Sequence, residues 1–153
     1  MPAQAFTLFA KNKDDLRIND LVSANLRMSL HTTSWTPNVT ATGNSLFSEA
    51  TNELGTAFGY TAGGYALTGV ATATAGNNGF YLSSGNAVWT AAGGSIPVFR
   101  YAVLYYLGTL WGMVNPLIGY ILCDATPADI PATTVGNTLT IVCPSGTGWF
   151  DLI

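Results

Sequence analysis

Short apolar runs separated by glycine and asparagine constrain this chain more than any other feature of its sequence. Gly63-Gly64, Gly76-Asn77-Asn78-Gly79, Gly85-Asn86, Gly93-Gly94, Gly136-Asn137 and Gly146 to Gly148 interrupt it at close intervals. Both residue types accept positive φ at little cost, so each group marks a turn. The runs between them, 65–74, 80–83, 87–91, 96–107, 116–123, 138–143 and 149–152, read as strands. Strands at this spacing predict an all-β fold, an antiparallel sandwich or jelly roll. Strand order is not legible from the pattern.

The first third is less uniform. Residues 23–31 alternate, with Ala24, Leu26, Met28 and Leu30 on one side and Asn25, Arg27 and Ser29 on the other, the pattern of a half-buried strand. Leu46, Phe47, Ala50 and Leu54 have helical spacing behind Asn44 or Ser45 as a cap, and 6–22 has room for a second short helix. One or two short helices are therefore expected in the N-terminal third. A chain of 153 residues fits a single domain, 1–153, with 1–22 either its first segment or an N-terminal arm. In the longest strand Tyr101, Val103 and Tyr105 share one face, while Val98, Ala102 and Leu104 share the other with Arg100. A strand apolar on both faces belongs in the middle of a sandwich or at an interface. Trp89, on the run 87–91, is expected in the core.

Charge is scarce. Charged residues make up 8% of the chain against about 25% in an ordinary soluble domain. From Leu54 to Cys123 the only one is Arg100. A net charge of −3 and five dispersed cations exclude the basic patch that nucleic-acid binding needs. The uncharged run 101–123 is long enough to span a bilayer. Gly108, Gly112, Asn115, Pro116 and Gly119 break it, however, and two strands joined by an apolar loop fit it better than one helix. No basic residue precedes the apolar start and no clear cleavage site follows, so no secretory leader is expected. Cys123 and Cys143 are accordingly expected as buried free thiols. Thr, Ser, Asn and Gly supply the polarity instead, a surface that docks with little desolvation of charge.

Catalytic and ligand motifs are absent. His31 closes the strand 23–31, and no motif marks a nucleophile or an orienting acid for it, so it reads as a polar strand-end residue. One histidine and two unpaired cysteines do not make a zinc site. Asp14, Asp15 and Asp20 lack the glycine and terminal Glu of a calcium loop, and Lys13 and Arg17 oppose a cation. Gly55, Gly59, Gly63 and Gly64 match no phosphate-loop spacing and read as a tight turn. Glu49 and Glu53 share a face of the expected helix and read as solvent-facing. Asn38-Val39-Thr40 is formally a glycosylation acceptor, which carries no weight without secretion. No enzyme activity, cofactor or metal is expected.

The connection 107–114 joins two expected strands and should run over the surface. Leu107, Leu110, Trp111, Met113 and Val114 would then form an exposed apolar patch, with Gly108 and Gly112 permitting a tight bend. Such patches are rare on monomers, which marks these five residues as a candidate interface. The competing reading has the loop fold back and plug an open end of its own sandwich.

A collinear series of short features carries a resemblance. Leu26-Arg27-Met28-Ser29-Leu30 leads to Thr33-Ser34-Trp35-Thr36-Pro37-Asn38, then Asn52-Glu53-Leu54, Gly59-Tyr60-Thr61-Ala62-Gly63-Gly64 and Ala66-Leu67-Thr68-Gly69-Val70. Ala87-Val88-Trp89-Thr90, Arg100-Tyr101-Ala102-Val103-Leu104-Tyr105 and Pro116-Leu117-Ile118-Gly119-Tyr120 complete it. The series, over about 15–150, resembles a family of small virion structural proteins of tailed phages. The family's connection after Tyr105 is usually polar, whereas here it is apolar. The resemblance implies a non-enzymatic particle component. The expectation drawn from it is a capsid decoration, or cement, protein assembled in the host cytoplasm. It would sit on the capsid surface of the virion, bind the major capsid protein as a homotrimer, and contact neither nucleic acid nor membrane. A tail or head–tail joining component, and a glycan-binding fibre or adhesin domain, are the alternatives. A glycan binder should display Trp or Tyr beside Asp, Asn or Arg in a groove, and the aromatics of this sequence lie mostly far from charge, which disfavours that reading.

Overall fold

The computed structural model describes residues 3–76, 79–124, 126 and 128–152. Its strands, in chain order, are β1 (Thr7–Leu8), β2 (Leu26–His31), β3 (Tyr65–Ala66), β4 (Ala71–Thr74), β5 (Phe80–Ser83) and β6 (Ala87–Thr90). They continue as β7 (Tyr101–Tyr106), β8 (Thr109–Leu110), β9 (Met113–Val114), β10 (Leu117–Leu122), β11 (Thr138–Ile141) and β12 (Phe150–Leu152). All pairings are antiparallel, and the fold is all-β, consistent with a sandwich whose sheets do not close into a barrel.

One layer is a five-stranded sheet in the order β1-β10-β7-β2-β3. The other is assembled from pieces. β5 pairs with β12 and with β4, and β6 pairs with β11. Leu82 faces Phe150 and Ala87 faces Ile141, so β5–β6 and β11–β12 run as two interrupted strands alongside each other. Between the layers Leu26, Met28, Leu30, Ala102 and Leu104 pack with Leu82, Ala87, Trp89, Trp149 and Phe150. Trp89 is buried as expected.

The central strand β7 is apolar on both faces because both are covered. Tyr101, Val103 and Tyr105 look away from the second layer and pack with Phe9, Trp35, Ala50 and Leu117. Loops and a single 3₁₀ turn supply most of that cover. The Phe47 ring stacks on Tyr105 with centroids 3.8 Å apart, and Trp35 meets Tyr101 edge-on at 5.7 Å. Residues 3–22 belong to the body of the domain: β1 completes the sheet edge on β10, and Asn12 Nδ2 donates to Ser45 O and Leu117 O.

Several expectations are corrected. The helices of 6–22 and 46–54 are only single 3₁₀ turns at Ala10–Asn12, Ile18–Leu21 and Phe47–Glu49. After Ala50 the backbone instead bonds to the end of β2, with Thr32 N–H donating to Asn52 O and Leu54 N–H to Leu30 O. β2 is not half-buried: Ser29 and His31, on its supposed solvent face, are enclosed beside Val103, Trp35 and Phe47, while Ala24 precedes the strand and is exposed. The run 65–74 divides near Gly69, so β3 and β4 join different sheets. The run 96–107 is a strand only from Tyr101. Pro97 has no N–H to offer a ladder, and Ile96 and Phe99 make single bridges to Thr133 and Ile130. That displacement leaves Val98 exposed. The expected turn at 76–79 is closed by Ala75 N–H donating to Gly79 O, with Asn77 and Asn78 outside the described residues.

Candidate functional site

The connection 107–114 is a β-hairpin at the tip of the β7–β10 pair. Two residues, Trp111 and Gly112, turn the chain, with φ of 53° and 74°. Positive φ at both positions is the geometry that matches hairpin twist. Gly112 accepts it freely, whereas tryptophan does so under strain. Asp20 restrains Trp111, whose Nε1–H donates to Oδ2 at 2.9 Å. At the base, Gly108 N–H donates to Asn115 Oδ1 and Asn115 N–H to Gly108 O, both at 2.7 Å.

Strand periodicity then divides the five candidate residues. Thr109 lies opposite Val114 and Leu110 opposite Met113, so each pair shares a face. Leu110 and Trp111 are half-buried against the main core. Leu107 and Val114 face solvent, 39% and 63% exposed, and Met113 is intermediate. The continuous five-residue patch is therefore corrected to a narrower outer face of Leu107 and Val114, with the half-buried Met113 on the side of Leu110. The side of Leu110 and Trp111 packs on the core, as the plug reading expects, and the side of Leu107 and Val114 is exposed.

The remaining candidates make their contacts within the fold. His31 lies 2.9 Å from Ser29 Oγ through Nε2 and 2.9 Å from Thr51 O through Nδ1. The Thr51 carbonyl accepts Nδ1–H, which leaves Nε2 to accept from the serine hydroxyl. This nucleophile–base arrangement, with no sequence motif to announce it, is closed to substrates because both residues are wholly buried. Burial lowers the His31 pKa to about 4, against the raising effect of the Thr51 bond. Glu49 and Glu53 do not share a helical face. Glu49 accepts from the Ser45 and Leu46 N–H groups, which hold its pKa low. Glu53 turns inward to accept from Tyr60 Oη at 2.7 Å and from Gly63 N–H, and its desolvation raises its pKa. Both cysteines are free: Cys123 is buried, Cys143 only half-buried. Among the described residues no three His, Cys, Asp or Glu side chains gather as a metal site. No helix among them is long and apolar enough to cross a membrane.

One cleft escaped the sequence reading. Where edge strand β3 meets β6, Arg27, Thr61, Tyr65, Trp89 and Thr90 line an opening of about 380 Å³. The sequence separates these residues too widely for any motif to join them. Comparisons of the chain with protein families, with characterised proteins and with solved structures found no match.

Proposed function

We infer that this protein is a non-enzymatic structural component of a tailed-phage virion, a decoration protein that binds the major capsid protein on the capsid surface. The observation that carries this reading is the outer face of the β8–β9 hairpin. There an uncharged strand pair, restrained by Asp20 and Asn115, presents Leu107 and Val114 to solvent. Val88, Val98, Val135 and Val142 are exposed elsewhere on the domain, so much of its surface can be covered without stripping water from charges. The collinear series from Leu26 to Tyr120 supports the choice of family. Assembly in the host cytoplasm and a homotrimeric state belong to the same proposal. Trimers bridging several shell subunits would multiply interfaces of about 1,600 Å² each.

Co-sedimentation with capsids assembled from the major capsid protein tests it, using the wild type and Leu107→Ser with Val114→Ser. Both residues are exposed, so the variant should keep its melting temperature within a few degrees and bind capsids at least about tenfold more weakly. Equal binding by both proteins, or none by the wild type, would overturn the proposal.

A further inference from the structure

Four of the five fixed positive charges have an evident setting. Lys11, Lys13 and Arg17 are exposed to water, and Arg100 Nε pairs with Asp129 at 2.9 Å. Arg27 is different. It is half-buried on β2, and among the described residues it forms no salt bridge. The nearby carboxylate of Glu53 is turned to Tyr60 and Gly63 instead. The guanidinium makes one long hydrogen bond, Nη1–H to Gly64 O at 3.4 Å, and its Nε–H is shielded from water without a partner. With Glu53 engaged by other donors, the guanidinium is left with unused hydrogen-bonding capacity.

The surroundings suit an anion with polar neighbours. Thr61 and Thr90 place exposed residues with hydroxyls on the cleft, and Tyr65 adds half-buried aromatic surface. At Gly64, φ is 75° and a Cβ would collide with Met28 O, so the backbone lies close against β2 beside the guanidinium. A guanidinium offers a planar fork of donors whose best match is a carboxylate. The volume is at the small end of ligand pockets, suited to a single sugar or one amino-acid side chain.

We propose that this cleft is a carboxylate-binding site, in which a ligand carboxylate takes the terminal Nη donors of Arg27 and the Thr61 and Thr90 hydroxyls hold adjoining polar groups. No residue of 107–114 lines the site, which does not depend on the docking reading. The carboxylate has two chemical sources, an acidic sugar or a glutamyl or aspartyl side chain.

Titration of ¹⁵N-labelled protein at constant ionic strength tests the site, with N-acetylneuraminic acid in one arm and N-acetylglutamate amide in the other. Sodium chloride is the control. At least one carboxylate should give saturable shifts at the Arg27 Nε–H and the Gly59, Gly64 and Tyr65 amides. Affinity should fall about tenfold or more in Arg27→Gln. Tighter binding of the sugar identifies a glycan source, and tighter binding of the glutamyl probe a polypeptide one. Arg27→Lys keeps the charge but loses the fork, and should weaken binding at least threefold; it decides the matter if Arg27→Gln fails to fold. Shifts reproduced by chloride, no saturation with either probe, or unchanged affinity in the decisive variant would overturn the proposal.

Discussion

Trp111 Nε1 donates a hydrogen bond to Asp20 Oδ2, tying a hairpin tip to a 3₁₀ turn near the other end of the chain. The contact holds a tryptophan at positive φ, where its own backbone preference would not keep it. Asp20→Ala should therefore cost only about 1 kcal/mol in global stability. Amide exchange at 110–114 should nevertheless accelerate clearly more than exchange in β7. By contrast, Leu110→Ser with Trp111→Ser removes two side chains packed on the core, and a markedly lowered melting temperature is expected.

Trp89 joins the two layers and touches both Tyr60 and Tyr65, with ring centroids 5.9 and 5.6 Å away. Trp89→Ala should cost about 3–5 kcal/mol by denaturant titration, since the rigid rings around it cannot collapse fully into the space. A loss under 1 kcal/mol would contradict this packing.

His31 should impose a pH dependence. Its folded pKa of about 4 lies below the ordinary 6.5, so the unfolded chain binds the extra proton between those values. Its contribution to stability is fully present above pH 6.5 and is lost as pH falls toward 4. Unfolding free energy should drop by about 2 kcal/mol between pH 7 and pH 5 from this group. Glu53, with its raised pKa, acts in the opposite sense, so the informative quantity is the difference between wild type and His31→Gln at each pH. That difference should shrink on acidification; a constant difference would mean His31 is not desolvated as described.

The two thiols should separate by reactivity. Burial pushes Cys123 up to about 12, and Cys143, also raised, is only half-buried. At pH 8 the folded protein should alkylate slowly, at Cys143 first, and both sites should react at similar rates in urea. Peptide mapping of the modified protein checks the order.

The strand runs and their turns were legible because alternation and glycine positions are local properties. The faces of β7 were read correctly for the same reason: Val103 and Leu104 must point opposite ways wherever the strand goes. Helical spacing in 46–54 misled, because Leu46, Phe47, Ala50 and Leu54 are apolar for a different purpose. Phe47 and Ala50 pack on the outer face of the five-stranded sheet and Leu54 joins the core between the layers, while the backbone bonds to the end of β2.

Sequence by itself determined the all-β class, the neutral surface and the burial of Trp89, each a consequence of composition and short-range periodicity. Tertiary structure alone decided the rest. It enclosed His31 with Ser29, turned Glu53 toward Tyr60, and split the hairpin between core and solvent. It also brought Arg27, Tyr65 and Thr90 to one cleft. These relations join residues far apart in the chain, and which strands neighbour one another is fixed by packing of whole layers, not by any local pattern.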